Sequence, residues 1–101
     1  MESKEYSWAW VTSSRVLSRR DCELIYAHAI SDGGEIKDTW LYHGGDATGE
    51  PIINLQMGTR GNPKFTPKEP VYCANGLYLS KGSSTEGVFV QWRELGQRVK
   101  V

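Results

Sequence analysis

The sequence predicts an all-β fold: a single antiparallel β-sandwich or jelly roll of about seven strands, with a small β-barrel as the alternative. Three observations predict it. Short apolar runs recur at intervals of about 8 to 12 residues, clusters of Gly, Pro, Asn and Asp separate them, and no segment carries the long 3.6-residue stripe of an amphipathic helix. With 101 residues there is capacity for one hydrophobic core and no second domain. The expected layout is a polar N-terminal tail over 1–7, a core over 8–95 and a C-terminal tail over 96–101.

The first strand is expected around Trp8 to Leu17, with Trp8 and Trp10 on one face and Val11 on the other. Arg19-Arg20-Asp21 links it to a run from Cys22 to Ile30 that is apolar on both faces, the mark of a central strand. Alternation puts Leu24, Tyr26 and Ile30 on one face of that run and Ile25, Ala27 and Ala29 on the other. Asp32-Gly33-Gly34 is a turn signal, because these residues tolerate the positive φ angles of tight hairpins. It is expected to lead into a strand over Glu35 to Tyr42, with Ile36, Trp40 and Tyr42 sharing one face and Lys37, Thr39 and His43 the other.

A wider loop follows, running from His43 through Gly44, Gly45, Asp46 and Gly49 to Glu50, and then a strand from Ile52 to Met57 whose Ile53, Leu55 and Met57 point inward. Between Gly58 and Pro70 the composition turns to Gly, Pro, Lys and Thr. Pro63, Pro67 and Pro70 forbid a regular central ladder there, leaving a short strand at Lys64-Phe65-Thr66. Val71 to Ala74 and Leu77 to Ser80 flank Asn75-Gly76, a tight turn or a corner. The last strong strand is Gly87 to Arg93, with Val88, Val90 and Trp92 on one face and Phe89 on the other.

Charge removes one class of function. Twelve basic and twelve acidic side chains cancel, whereas nucleic-acid affinity rests on basic residues concentrated on one face. No nucleic-acid partner is expected. No membrane partner is expected either, since no window is long and apolar enough to span, and the polar start Met1-Glu2-Ser3-Lys4-Glu5-Tyr6 does not read as a leader.

The succession CELIYAHAISDGGEIKDTWLYHGGDATGEPIINLQM, followed by FTPKEPVYCANGLYLSKGSSTEGVFVQW, resembles the small β-sandwich virion structural proteins of tailed phages and prophages. Tyr42, Gly44, Gly45, Asp46, Ala47, Thr48 and Gly49 match the loop of that pattern, Asn75-Gly76-Leu77-Tyr78 its corner, and Val88, Val90 and Trp92 its last strand. The likeness covers about Cys22 to Arg93. It implies a non-enzymatic subunit of the virion, made in the host cytoplasm: a capsid decoration, head-fibre or tail accessory protein that self-associates and contacts other virion proteins. It assigns no role to Trp8 and Trp10.

Chemical candidates are few. Cys22, His28, His43 and Cys73 supply zinc-ligand atoms without the spacing of a finger or ribbon, so no metal site is expected, and Cys22 and Cys73 read as two buried thiols unless their strands are neighbours that allow a disulfide. Asp32, Asp38, Asp46 and Glu50 match no calcium loop. The Gly44 to Gly49 loop lacks the Lys-Ser/Thr and the helix of a phosphate cradle. No nucleophile elbow is present, so neither catalytic residues nor a cofactor are assigned. Asp32, Gly33, Gly34, Gly44, Gly45, Gly49, Asn75 and Gly76 are read as structural turns. Trp40 and Trp92 are expected in the core, while Trp8 and Trp10 fit either a core or an exposed face. In the latter position they would serve a subunit contact or stack on a ligand, and a carbohydrate- or small-ligand-binding module is the alternative function.

Overall fold

The computed structural model describes residues 6–34, 36, 38–56 and 61–95. Among the described residues nine strands follow in order: β1 Ser7–Val11, β2 Arg15–Ser18, β3 Cys22–Ser31, β4 Trp40–His43, β5 Pro51–Asn54, β6 Lys64–Phe65, β7 Val71–Cys73, β8 Leu77–Ser80 and β9 Thr85–Glu94. They form two antiparallel sheets, consistent with a β-sandwich. Sheet A runs β1-β9-β3-β6, with β7 also paired to β3, and sheet B runs β2-β8-β4-β5.

The count exceeds the expected seven because one segment divides and the short strand expected at Lys64-Phe65-Thr66 forms as β6. The run from Trp8 to Leu17 breaks at the exposed Thr12, Ser13 and Ser14, so β1 joins sheet A and β2 joins sheet B. One face of each piece can then meet the same core from opposite sides. The Pro-rich stretch yields only the two-residue β6 before β7, as its prolines require.

Both long strands sit at the centre of sheet A. β9 lies between β1 and β3, and β3 pairs on its other side with β7 through Cys22 to Leu24 and with β6 through Ala27 and His28. The register shifts between Leu24 and Tyr26, a bulge that resets the alternation. Leu24, Ala27 and Ala29 therefore all point inward and are fully buried. Tyr26 and Ile30 do not share a face with Leu24, contrary to simple alternation.

The interior between the sheets is filled by Val11, Leu24, Ile36, Leu41, Leu55, Leu77, Leu79, Val88, Val90 and Trp92. Trp92 is buried as expected, but Trp40 is not a core residue. Leu41 takes the interior position of β4, opposite Leu79 and Ile53. Trp40 and Tyr42 consequently stand on the outer face of sheet B, stacked at 6.1 Å, while Thr39 is buried. The four-residue β4 begins at Trp40 rather than Glu35, and nothing in the local pattern fixed its phase. Leu55 points inward as read, hydrogen bonding to Thr39 O just past the end of β5. Met57 and both expected tails beyond 6–95 lie outside the described residues, except that Ser7 already belongs to β1.

The turns divide by task. The His43 to Glu50 loop is the hairpin expected, closed by His43 N to Glu50 O and braced by Thr48 donating to Asp46. Gly44, Gly45 and Gly49 lie within it. Asp32-Gly33-Gly34 turns through an Asp32 side chain accepting from Gly34 N, yet it leads no hairpin: β3 and β4 belong to different sheets. Asn75-Gly76 is likewise a corner between sheets, from β7 to β8. There Gly76 has φ +129, and a Cβ on it would lie 2.4 Å from Ser18 O. Polar ties join the layers, with Ser18 of sheet B donating to Glu94 of sheet A and Thr39 bonded to Thr85 at 2.9 Å in the interior.

Candidate functional site

The side chains of sheet A that do not face the core gather on its outer face, as Trp40, Tyr42 and Tyr78 do on that of sheet B. Val88, Val90 and Trp92 point inward, so Gly87, Phe89, Gln91 and Arg93 of β9 point out. Register aligns them with their neighbours. One rung reads Trp8, Gln91, Tyr26; the next reads Trp10, Phe89, His28, Lys64. A third joins Arg93 to Glu23, with Tyr72 beyond it on β7.

Aromatic rings dominate the first two rungs. Trp8 and Phe89 lie 5.9 Å apart with planes tilted by 31°, and Tyr26 meets Phe89 edge-on at the same distance. Trp8 is 64% exposed and Trp10 45%, which decides their position: they are surface residues on an edge strand, not core. Edge-to-face and tilted pairs at this spacing attract one another beyond the area they bury.

Trp10 has a seat of its own. A Cβ at Gly87 would come within 2.3 Å of the Trp10 indole, so the ring lies directly on backbone that only glycine leaves bare. The glycine sits opposite Ile30, beside the register shift that leaves Ser31 opposite Thr85, and it allows the close approach of the ring.

The other end of the face is polar. Arg93 donates to Glu23 through Nε at 3.1 Å and through a second guanidinium nitrogen, and this pairing raises the Arg93 pKa above its ordinary value. The guanidinium also lies over the Tyr6 ring, 5.9 Å from its centroid, a cation–π contact. Tyr72 donates to Asp21 at 2.8 Å. Arg93 and Glu23 thus neutralise each other at this end of the face, while Lys64 lies at its far edge beside His28.

His28 stands on this face, half-buried, with Nδ1 3.4 Å from the Tyr26 hydroxyl and a buried Nε2 that has no partner among the described residues. His43 lies on sheet B. The two histidines are therefore on different sheets, and the described residues hold no cluster of three potential metal ligands. They enclose no pocket, so the aromatic face is an open surface. Its chemistry is that of contact: broad apolar and π surface at the centre, hydrogen-bonding groups at one end.

Trp8 and Trp10 were legible from the sequence as a pair sharing one face of an edge-like strand. Phe89 was legible too, from alternation within β9. Tyr26 and His28 were hidden by the bulge at Ile25, and Gly87 by the fact that its partner ring comes from a strand far away in sequence. Comparison with protein-family models, with curated proteins and with solved structures returns no match.

Proposed function

We propose that this chain is a non-enzymatic structural subunit of a tailed-phage or prophage particle, a capsid decoration or head or tail accessory protein, which acts by self-association and by contact with other virion proteins. On this reading it is made in the host cytoplasm and resides in the virion. The observation that carries the contact role is the aromatic face of sheet A, with Trp8, Trp10, Tyr26 and Phe89 on neighbouring strands and two of them largely open. The motifs around Gly44 to Gly49 and Asn75 to Tyr78 supply the phage assignment, by resemblance.

Size and charge favour a second copy as the first occupant. The 30 strand residues of sheet A, each covering about 4.8 by 3.3 Å, give a face of roughly 500 Å² in projection. Side-chain relief brings this to the scale of one side of a standard interface, about 800 Å². A chain with zero formal charge meets no net repulsion from its twin, and an isologous pairing of two such faces would bury both aromatic clusters at once.

The test is composition of the particle. Density-purified particles from a producing culture, analysed by quantitative mass spectrometry, should contain this chain at a fixed ratio to the major capsid or tail protein. Its absence from particles while it accumulates free in the lysate refutes the reading. A saturable Trp fluorescence change with a glycan array hit, abolished by Trp8→Ala in a folded chain, would move the assignment to the carbohydrate-binding alternative.

A further inference from the structure

Cys22 and Cys73, far apart in the sequence, are direct register partners across the β3–β7 pair. Both are free and fully buried. We propose that they form an oxidisable dithiol that closes to an intramolecular cross-strand disulfide, stapling β7 to the central strand of sheet A once the chain meets an oxidising environment.

The backbone is already in range. Directly opposed residues in an antiparallel pair have Cα atoms about 4.5 or 5.5 Å apart, depending on the rung, and both values fall within the roughly 4.4–6.8 Å span of natural disulfides. Their Cβ atoms, ordinarily about 4.5–5.5 Å apart, must close to about 3.8 Å. β7 can make that movement. It is three residues long, lies at the sheet's margin, pairs with β3 alone and ends at the Asn75-Gly76 corner.

The thiols already interact. Each thiol bears on the other's ionisation, holding Cys22 below its ordinary pKa and Cys73 above it, while Cys73 Sγ donates to Val71 O at 3.4 Å. With a low-molecular-weight disulfide as oxidant, the Cys22 thiolate attacks one oxidant sulfur and expels a thiolate that takes up a proton. Cys73 then loses its proton and attacks the mixed disulfide at Cys22, expelling the second thiol. Two cysteine thiols and one oxidant disulfide become one protein disulfide and two small thiols, with the two electrons passing to the oxidant.

Burial sets the rate. The oxidant reaches sulfur only when β7 lifts, and Asp21 resists that motion by accepting from Tyr72 Oη at 2.8 Å and from Asn75 N at 3.0 Å. Reduced thiols are the norm in the cytosol and disulfides on virion and cell surfaces, so the staple would form after synthesis. The closed loop of about 50 residues is long enough for a large effect on the unfolded chain.

The experiment uses the full chain, reduced and then incubated with glutathione disulfide, with intact mass and thiol titration in denaturant as readouts. Both thiols should disappear together, the mass should fall by two hydrogens, and the melting temperature should rise by about 10 °C or more. Asp21→Ala should oxidise faster than the wild type, and Cys73→Ser should show no oxidant-dependent rise in melting temperature. The proposal is overturned if the end product is a glutathione adduct or a covalent dimer. It is equally overturned if both thiols survive a cycle of unfolding and refolding in the same oxidant.

Discussion

Replacing Gly76 by alanine separates two costs that glycine usually hides together. At φ +129 an L residue is strained, by about 1–3 kcal/mol. The added methyl would also sit 2.4 Å from Ser18 O and 3.1 Å from Gly44 O, both backbone atoms. Neither can rotate away, so β2 or the β4–β5 loop must shift, and Gly44 N to Gly76 O at 2.9 Å is strained with it. Overpacking of this kind adds about 1–3 kcal/mol, for a total near 4 kcal/mol. Gly33 is the built-in control: its φ is +116, but a Cβ there meets nothing within 4 Å. Gly33→Ala should therefore cost only the conformational part, about 1–2 kcal/mol. In urea, with a slope of about 1.5 kcal/mol/M for a domain this size, the midpoints should fall by about 2.5 M for Gly76→Ala and about 1 M for Gly33→Ala. Equal midpoints for the two variants would refute the steric part of the argument, and a Gly76→Ala midpoint equal to wild type would refute all of it.

Further outcomes follow from the same geometry. Leu79→Ala, at a fully buried position facing Leu41, should lower stability by about 2–5 kcal/mol, read by calorimetry. Thr85→Val removes one of two partners of Thr39 Oγ1 inside the sandwich, the other being Gly82 N, which donates to it at 3.0 Å, and should cost about 0.5–1.5 kcal/mol, whereas Thr85→Ser should cost less. Gly87→Ala should displace the Trp10 ring, seen as a red shift of Trp emission with the far-UV spectrum unchanged. Asp46 is held below the ordinary carboxylate pKa by hydrogen bonds from the Thr48 side chain and backbone. Its stabilising contribution is present above the unfolded value, about 3.9, and is lost as pH falls through the lower folded value. An NMR titration of its carboxyl should show the depressed midpoint, and Thr48→Ala should move it back up.

How much of this could be read from residues alone depends on where the information is local. The pattern of Val88, Phe89, Val90 and Trp92 gave β9 its faces, because the alternation from Val88 to Arg93 leaves one phase that buries the valines. Alternation also put Trp8 and Trp10 on one face, but only their exposure in the structure shows that this face is turned to solvent. β3 defeated simple alternation, since a bulge is a property of pairing with β9 and leaves no mark in a run that is apolar on both sides. Trp40 was misassigned because volume and aromaticity suggest a core, while the short β4 offers Leu41 as an equal claimant and only the opposing Leu79 and Ile53 decide between them. Asp32-Gly33-Gly34 signalled a turn correctly but not its destination: the chemistry of positive φ is local, whereas the choice between a hairpin and a crossing to the other sheet is set by how β3 and β4 pair. The facing of Cys22 and Cys73 is likewise a fact of register.

The central claim is that the outer face of sheet A is a contact surface, and light scattering after size exclusion tests it most directly. The wild-type chain would be run at micromolar concentration and at tenfold dilution, beside Trp8→Ala and Trp10→Ala, whose exposed side chains can be trimmed without opening the core. The account predicts a discrete oligomer that survives dilution in the wild type and shifts toward monomer in both variants, with unchanged far-UV spectra. A wild-type monomer at both concentrations, or an oligomer indifferent to both substitutions, would contradict it.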